Sequence, residues 1–325
     1  MKQFLTRAAL ALGATLALVP AIAWGQGFPS KTIRIIVPYS PGGTTDLLAR
    51  LVAQTLGERF GQPVIVENKP GANGMIGIDA VAKAPPDGYT LGIASPGTHA
   101  ANASLYKNMP HDPIKDFTPV TLAVSAPMLL IVHPSLKVDS VKELIALAKA
   151  KPGQISYASG GSGSSQHLAM ELFKMMAGID MTHVPYKGSA ASYTDLMAGA
   201  VTVEIDVLPT ALPPTKAGKL KALATGSARR LTALPDIPTI AEAGVPGYQA
   251  SAWYGFVAPA GLPKDLLATL NTEIVKALRK QDVTDKLTGA GTIVVASTPE
   301  QFAAHIRTET DTAAKVIRSA NIKPD

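Results

Sequence analysis

Short apolar runs alternate with amphipathic segments along the chain from residue 32 onward. Residues 32–38, 63–67 and 89–95 are dominated by aliphatic and β-branched side chains, which is typical of buried strands. Between them, residues 44–60 and 75–83 carry apolar side chains at helical spacing. The order strand, helix, strand, helix, strand indicates a parallel sheet with helices on both faces.

A second cycle of strands and helices follows the first without a flexible linker or a sequence repeat. Two lobes joined by crossing strands are therefore expected, rather than two domains on a tether. The last strand and helices are expected to return to the first lobe, which gives lobe 1 residues 27–124 and 254–325, and lobe 2 residues 125–253. The predicted elements of this part are strands at residues 127–133, 154–158, 183–186, 201–207, 220–225 and 253–258, and helices at residues 140–150, 164–177, 191–198, 264–280 and 299–319.

The first residues differ from the rest and predict a secretory signal peptide at residues 1–23. Lys2 and Arg7 precede an uncharged apolar run, and small residues then allow cleavage after Ala23 or, equally well, after Gly25. The apolar run is too short and wrongly flanked to span a membrane. The sequence therefore predicts an exported, soluble protein.

The composition narrows the kinds of site that the chain can carry. Its 325 residues, 46% of them apolar, suffice for two cores. There is no cysteine, which excludes a disulfide scaffold, a thiolate metal site and a cysteine nucleophile. The six histidines form no i, i+4 pair and no His-Glu-x-x-His motif, so neither a metal nor a cofactor is expected.

The formal net charge of the precursor is +6, and the basic residues are spread without a continuous stripe. A nucleic-acid partner is therefore not expected. Without Lys2 and Arg7, 28 basic residues stand against 24 acidic ones. This small excess is either a bias toward anionic ligands or a contribution to solubility.

The segment 39–46 (YSPGGTTD) follows a predicted strand and opens a predicted helix, as an anion site would. Gly42 and Gly43 allow the backbone to bend with positive φ and leave N–H groups uncovered, and Thr44 or Thr45 is expected to cap the helix. The first-turn N–H groups have no partner inside the helix and attract anions. The alternative interpretation is an ordinary turn between a strand and a helix.

A second segment of this kind, residues 158–167 (ASGGSGSSQH), contains three Gly and four Ser. One such loop is a weak signal, but two at equivalent places in successive α/β units would hold a carboxylate from both sides of a cleft. Hydrogen bonds to a charged group contribute about 1.5–3 kcal/mol each, so four or five would give micromolar affinity after the costs of ordering.

Catalytic alternatives fit the two loops less well. Neither loop has the lysine of a nucleotide P-loop, the third glycine of the dinucleotide fingerprint or the second glycine of a hydrolase elbow. Ser164, His167 and Asp206 offer the residue types of a catalytic triad, but positions i and i+3 at a helix start give poor nucleophile–base geometry. A Ser/His hydrolase is therefore the weaker alternative, and no enzymatic activity is expected.

Three further positions are candidates for ligand contact. Thr98 lies in a polar loop after the third strand, at the sheet edge where α/β proteins bind ligands. Asp206 ends a mostly apolar strand and either caps a neighbouring turn or accepts a hydrogen bond from a ligand. His167 is either a helix-face residue bonded to nearby backbone or a ligand contact.

The order and spacing of several motifs resemble the extracytoplasmic substrate-binding proteins of tripartite tricarboxylate transporters, the TctC or Bug family. The resemblance extends over essentially the whole chain after residue 27. The motifs are YSPGGTTD (39–46), ENKPGANG (67–74), HAANASLY (99–106), DFTPVTL (116–122), SGGSGSSQHLAMELF (159–173), HVPYKG (183–188), EIDVLPTALPPTKAGKLKALA (204–224) and WYGFVAPAGLP (253–263).

The resemblance implies an α/β fold of the two-lobed periplasmic binding protein type, type II-like. Each lobe would be a mainly parallel sheet flanked by helices, and the lobes would close on the ligand. A carboxylate would lie between the two Gly-rich loops, held by backbone N–H groups, hydroxyls and water. The implied contacts are Tyr39, Gly43, Thr44 and Asp46 in the first loop, Gly161, Ser162, Gly163, Ser164 and His167 in the second, and Thr98, Tyr186 and Asp206 at the distal end of the ligand.

The resemblance also implies the partners. A monomeric receptor would capture a small carboxylate and deliver it to the membrane permease subunits of the transporter. The alternative is a sensing module that presents its closed form to a signalling receptor. Di- and tricarboxylates, aromatic acids, amino acids and nicotinate-like acids all remain open as ligands.

Overall fold

The computed structural model describes residues 27–186, 188–231 and 233–323. The predicted signal peptide lies outside these residues. Of the first unit, Met1–Ser30, only residues 27–30 are described, and they belong to no helix or strand. The second unit, Lys31–Asp325, contains all elements described below.

The first cycle forms as predicted, with small shifts at its ends. The elements are β1 (Ile33–Val37), α1 (Thr44–Phe60), β2 (Val64–Asn68), α2 (Met75–Ala82) and β3 (Thr90–Ala94). β1 lies between β2 and β3 and pairs with both in parallel. The aliphatic side chains of β1 are buried, and the buried residues of α1 include Leu48, Val52 and Leu56 along one side. The apolar spacing read from the sequence therefore corresponds to the face that packs on the sheet.

The connection after β3 contains a π-helical turn (Gly97–Ala101) and the short helix α3 (Asn102–Leu105), and then the long strand β4 (Phe117–Val132). The predicted strand at residues 127–133 is only the second half of β4. Its first half was missed because Pro119 and the polar side chain of Thr121 interrupt the apolar run, and the register of β4 against its partner shifts at these residues.

The second cycle runs from α4 to β8. Its elements are α4 (Val141–Ala150), β5 (Ser156–Ser159), α5 (Ser165–Ala177), β6 (Thr182–Pro185), α6 (Ser189–Ala198), β7 (Val203–Val207), α7 (Leu208–Lys216) and β8 (Lys221–Thr225). β5 pairs in parallel with both β6 and β7. Helix α7 was not predicted, because Pro213 and Pro214 lie inside it.

The last part of the chain returns to the first strands. It contains β9 (Ser251–Pro259), α8 (Lys264–Arg279), α9 (Gln281–Gly289), β10 (Ile293–Val294) and α10 (Pro299–Ser319). β9 lies between β3 and β4 and is antiparallel to both. Helix α10 has the predicted bounds, since Thr298 and Gln301 form a capping box and Pro299 occupies its first turn.

The strands form one mixed sheet in the order β2-β1-β3-β9-β4-β7-β5-β6, with β8 and β10 also paired to β4. β4 changes partners along its length: Pro127 pairs with Ser251 of β9, whereas Met128 pairs with Val207 of β7. The predicted parallel pairs are thus present in two groups, and the crossing strands add antiparallel pairs between them.

Two clusters of buried side chains lie on either side of this change of partners. One draws its members from residues 126–252 and includes Tyr157, Phe173 and Tyr248. Another draws its members from residues 36–122 and 253–306 and includes Trp253 and Phe302. The exact lobe limits remain a prediction. Within the described ranges, no helix has the length and apolar character needed to cross a membrane.

Candidate functional site

Most of the candidate residues lie in the loops that follow the carboxyl ends of β1, β3 and β5, or in the first turn of the helix that comes next, while Tyr186 follows β6 and Asp206 lies in β7. Ligands of α/β proteins bind at this edge of a parallel sheet. The loop after β5 packs against the first group of elements: a Cβ added to Gly163 would lie 2.1 Å from Leu105 Cδ1 and 3.3 Å from Asn73 Nδ2. The structure therefore brings the second Gly-rich loop next to residues of the first half of the chain.

Asp46 anchors the first Gly-rich loop. Its Oδ2 accepts the N–H of Gly42 at 3.1 Å and Nε of Arg50 at 2.9 Å, while its Oδ1 accepts Nδ2 of Asn68 at 3.0 Å. Burial alone would raise the pKa of Asp46, but the hydrogen bonds from Arg50, Gly42 and Asn68 together hold it below its ordinary value. The structure thus places this carboxylate as a support of the loop.

The start of α1 provides hydrogen-bond donors for an anion. Gly43, and not Thr44 or Thr45, is the N-cap, and no side chain caps this end. Gly42 has a φ of +91°, whereas Gly43 has a φ of −85°, so only Gly42 needs the left-handed region. Thr44 Oγ1 is buried and has no hydrogen-bond partner within the part of the chain that is described. The first-turn N–H groups and this hydroxyl are therefore suited to bind an anion.

Tyr39 and Thr98 belong to one buried hydroxyl network. Tyr39 Oη lies 2.6 Å from Ser95 Oγ, which lies 3.2 Å from Thr98 Oγ1. Thr98 Oγ1 also lies 2.9 Å from Nδ1 of His99 and accepts the N–H of Ser95. Burial raises the pKa of Tyr39 to about 12, so its hydroxyl is neutral. The fully buried Thr98 holds the turn after β3.

The second Gly-rich loop is preformed by its own contacts. Nδ1 of His167 accepts the N–H of Gly163 at 3.1 Å, and Ser164 Oγ caps α5 by accepting the N–H of His167 at 3.3 Å. The N–H of Gly161 donates to Ser159 Oγ, and the N–H of Ser164 donates to the carbonyl of Gly161. Gly161 and Gly163 have φ values of +119° and +76°, which explains why glycine stands at both positions.

Three aromatic rings, one of them bonded to this loop, form a stack. The imidazole rings of His167 and His183 lie 3.7 Å apart between centroids, and His183 stacks in turn on Tyr157. The ring of His167 is buried and serves the loop through Gly163, rather than standing at its surface. Ser162 is also buried in this loop.

Asp206 lies in β7 and is fully buried. Its Oδ1 accepts Nε2 of Gln166 at 2.9 Å and the N–H of Val207 at 2.7 Å, and its Oδ2 accepts Thr210 Oγ1 at 2.7 Å. Burial raises the pKa of Asp206, although these hydrogen bonds oppose the rise. The side chains of Gln166 and Thr210 in this network are half-buried.

Tyr186 lies after β6 and is half-buried. Its hydroxyl donates to Asp195 Oδ2 at 2.6 Å. Burial, and then the bond to Asp195, raises the pKa of Tyr186 to about 12. The tyrosine is therefore fixed to α6 as a neutral side chain.

Asn73 and Gln166, which the sequence did not single out as ligand contacts, also belong to this region. Asn73 has a φ of +48° and donates from Nδ2 to Asn102 Oδ1 at 3.0 Å, next to Gly163. Gln166 links the second loop to Asp206. The pKa of Tyr254, on the crossing strand β9, is raised by burial and then by the charges of Tyr39 and Asp206. The Asn-Gly pair within ENKPGANG was the available signal for Asn73.

The described residues do not offer a site for a metal ion: they contain no group of three or more His, Asp or Glu side chains that could hold one. What the region does offer is backbone N–H groups, hydroxyls and amides.

The two groups of parallel strands, the crossing strands and the Gly-rich loops at helix starts define a two-lobed periplasmic binding protein. The chain belongs to the TctC family, described as the tripartite tricarboxylate transporter family receptor, whose model matches residues 48–322. Protein BugT of Bordetella pertussis is 39% identical over 297 residues, which cover 91% of each chain. The family predicted from the motifs is therefore confirmed.

Solved structures agree with this assignment. Rpa4515 of R. palustris, solved with adipate, has a TM-score of 0.87 and 42% identity, covering 92% of this chain and 100% of its own. MatC from Rhodopseudomonas palustris with bound malate has a TM-score of 0.83 and 33% identity, covering 89% of this chain and 100% of its own. The predicted fold class is confirmed by these similarities.

Proposed function

We propose that this chain is a periplasmic receptor that binds a small carboxylate between its two Gly-rich loops and delivers it to the membrane subunits of a tripartite tricarboxylate-type transporter. The observation that carries the proposal is the uncapped start of α1, where the buried Thr44 hydroxyl has no partner among the described residues. Such a helix start favours an anion through its N–H groups and its dipole.

The second Gly-rich loop would form the other side of the carboxylate site, and its backbone is rigid. Its backbone is fixed by Gly163, His167 and Ser164 before any ligand arrives, so little conformational entropy is lost on binding. Closing the lobes would exclude water and strengthen each bond between the carboxylate and these fixed dipoles. The ligand drives closure only as far as it binds the closed form more tightly than the open one.

The similar structures support a carboxylate as the ligand. Adipate and malate, named with Rpa4515 and MatC, are both carboxylates. The loops of this chain present donors and hydroxyls, which suit the same charged group.

The contacts of Ser164 and His167 favour binding over hydrolysis. Ser164 Oγ accepts a backbone N–H as a helix cap, and Nδ1 of His167 accepts the N–H of Gly163. Both groups therefore build the loop, whereas a hydrolase would need the ring nitrogen to take the proton of the serine hydroxyl.

Thermal shift with matched acids and amides tests ligand binding. Adipate, malate, aspartate and nicotinate would be compared with their uncharged amides and with neutral sugars. We expect at least one acid to raise the melting temperature, and its amide to leave it unchanged. Stabilisation by sugars alone would contradict the proposal.

Delivery and export need their own measurements. Uptake of the labelled acid by cells that lack this chain should fall and be restored by the full precursor. Unchanged uptake would contradict the transport role. N-terminal sequencing of the protein from a periplasmic fraction should show cleavage after Ala23 or Gly25, and a protein found only in the cytoplasm would contradict export.

A further inference from the structure

A cavity of about 290 Å³ lies between helices α5 and α10, which come from distant parts of the chain. Each helix lines it with four residues at positions i, i+3, i+4 and i+7, beginning at Ser165 in α5 and at Glu309 in α10. This spacing places the four residues of each helix on one face. Pro96 and Ala100 after β3, and residues 249–251 at the start of β9, complete the lining. The walls therefore come from four separate segments of the fold.

The cavity is distinct from the region of the two Gly-rich loops. No residue of the first loop lines it, and of the second segment only Ser165, the first residue of α5, does so. Ala169 and Ala313 are buried members of the lining, whereas Gln249 and Thr312 are exposed, so the cavity is open to solvent. Its volume lies at the lower end of the range of ligand pockets, which suits a small molecule rather than a helix.

Glu309 supplies a fixed carboxylate to this cavity. Among the described residues of the lining, it is the only one with a charged side chain. Its Oε2 accepts Nε1 of the buried Trp253 at 3.1 Å, which holds the carboxylate in place. A carboxylate can accept about four hydrogen bonds, and Oε1 accepts none from the part of the chain that the structure describes. The half-buried Glu309 therefore has acceptor capacity left for a ligand.

The charge of Glu309 is not balanced by a neighbouring cation. No Lys, Arg or His of the described ranges forms an ion pair with it. His305 lies one turn earlier on α10, with its ring 5.1 Å from that of Trp253 between centroids. Burial lowers the pKa of His305 although Glu309 opposes the fall, so this ring is neutral at pH 7. An unbalanced carboxylate beside an apolar surface favours a ligand that brings a positive charge.

We propose that this cavity is a second ligand site, which binds a small organic ammonium ion. The ammonium group meets Glu309, and a short apolar body lies against the alanine and leucine side chains of α5 and α10. An ammonium group has three N–H donors, and a hydrogen bond between two charged groups is about twice as strong as one between neutral groups. The corresponding alcohol therefore binds more weakly. This site does not depend on the proposed carboxylate site.

Titration of the 15N-labelled mature protein with matched amines and alcohols tests the second site. The probes are benzylammonium and cyclohexylammonium chloride, compared with benzyl alcohol and cyclohexanol. We expect at least one ammonium ion to give saturable shifts of amide signals within residues 165–172, 249–251 and 309–316. Its affinity should exceed that of its alcohol about fivefold to tenfold, as one charge-assisted hydrogen bond at a half-buried group would give.

Three variants assign the selectivity to Glu309 and the volume to the cavity. Glu309→Gln removes the charge but keeps an acceptor for Trp253, so it should bring the ammonium-to-alcohol ratio close to one at a nearly unchanged melting temperature. Asp311→Asn is the matched control: it removes the same charge from an exposed position of α10 outside the cavity and should keep the wild-type ratio. Ala313→Leu should weaken both probes by filling the cavity. If Ala313→Leu fails to fold, the ratio in Glu309→Gln decides.

Several results would overturn the second site. These are the absence of saturable shifts, equal affinities for each ammonium ion and its alcohol, or an unchanged ratio in Glu309→Gln. Shifts centred on residues 42–45 and 160–164 would also overturn it, because they would place the ammonium ion at the Gly-rich loops. None of these results decides whether a carboxylate binds, which the thermal shifts with acids and amides measure separately.

Discussion

The backbone N–H of Gly163 donates to Nδ1 of His167 over 3.1 Å, four residues further along the chain. This bond joins the bend of the second Gly-rich loop to the first turn of the helix that follows. Because the ring accepts at Nδ1, the imidazole of His167 holds the loop in shape.

Replacement of His167 by leucine should weaken binding of the carboxylate. Without the ring, the N–H of Gly163 loses its acceptor, which costs about 1–3 kcal/mol when the group is buried. We expect a lower free energy of unfolding and a several-fold lower affinity for the acid found in the thermal-shift screen. His167→Gln, whose side-chain oxygen can accept the same bond, should retain more of both. Affinity unchanged in His167→Leu would show that the bond does not matter for the site.

Replacement of Thr44 by valine should reduce affinity without reducing stability. The Thr44 hydroxyl has no partner among the described residues, so its removal costs the unliganded protein no hydrogen bond. The ligand complex should lose one hydrogen bond to a charged group, about 1.5–3 kcal/mol, or roughly tenfold or more in affinity. Thr55→Val, on the same helix, is the matched control: Thr55 Oγ1 donates to the carbonyl of Leu51, so this variant should keep the wild-type affinity. Equal affinity in Thr44→Val and the wild type would remove this hydroxyl from the site.

The two loops should respond differently to valine. Gly43 has a φ of −85°, and a Cβ added there would meet open space, so Gly43→Val should fold normally and block the start of α1. Gly163 has a φ of +76°, and an added Cβ would meet Leu105, so Gly163→Val should also lose stability. Urea unfolding and titration calorimetry on both variants separate the effects. Wild-type affinity in Gly43→Val would contradict a role for this loop in binding.

His99 should make the protein less stable as the pH falls. Burial, and then the neighbouring His111, lowers the pKa of His99 to about 3, from an ordinary value of 6.5. Between these values the unfolded chain takes up a proton that the folded chain refuses, so the free energy of unfolding falls by about 1.4 kcal/mol per pH unit from this residue. Above pH 6.5, His99 is neutral in both the folded and the unfolded chain and does not make the free energy of unfolding depend on pH.

The measurement is urea unfolding of the wild type and of His99→Asn at several pH values between about 7 and about 4.5, a range that crosses the ordinary pKa of histidine. The variant should be less stable at neutral pH, because His99 lies 2.9 Å from Thr98 Oγ1, but its stability should fall less steeply with pH. Parallel curves for the two proteins would contradict the assignment of this pH dependence to His99.

Local signals in the sequence were enough to predict much of the fold. The bounds of α1 and α10 were correct, because glycine at position 61 ends the first and Pro299 with Thr298 begins the second. The first half of β4 was missed because it derives its stability from pairing with β9, which is distant in the sequence, rather than from a local apolar run.

The candidate site was only partly accessible to such reasoning. Glycine pairs and hydroxyl residues marked both loops, but Thr44 or Thr45 was expected to cap the helix, whereas Gly43 is its N-cap. The sequence also could not show that Asp206 meets Gln166, since the contact depends on how β7 and α5 pack. Side-chain direction in tertiary contacts is not encoded in local spacing.

Amide chemical-shift mapping would show whether both Gly-rich loops contact the ligand. The 15N-labelled mature protein would be titrated with the acid that gives the largest thermal shift, and with its amide as the control. We expect the acid to perturb the backbone N–H signals of both residues 42–45 and residues 160–164, while the amide does not. Perturbations confined to one loop, or centred elsewhere with both loops unchanged, would contradict the binding of a carboxylate between them.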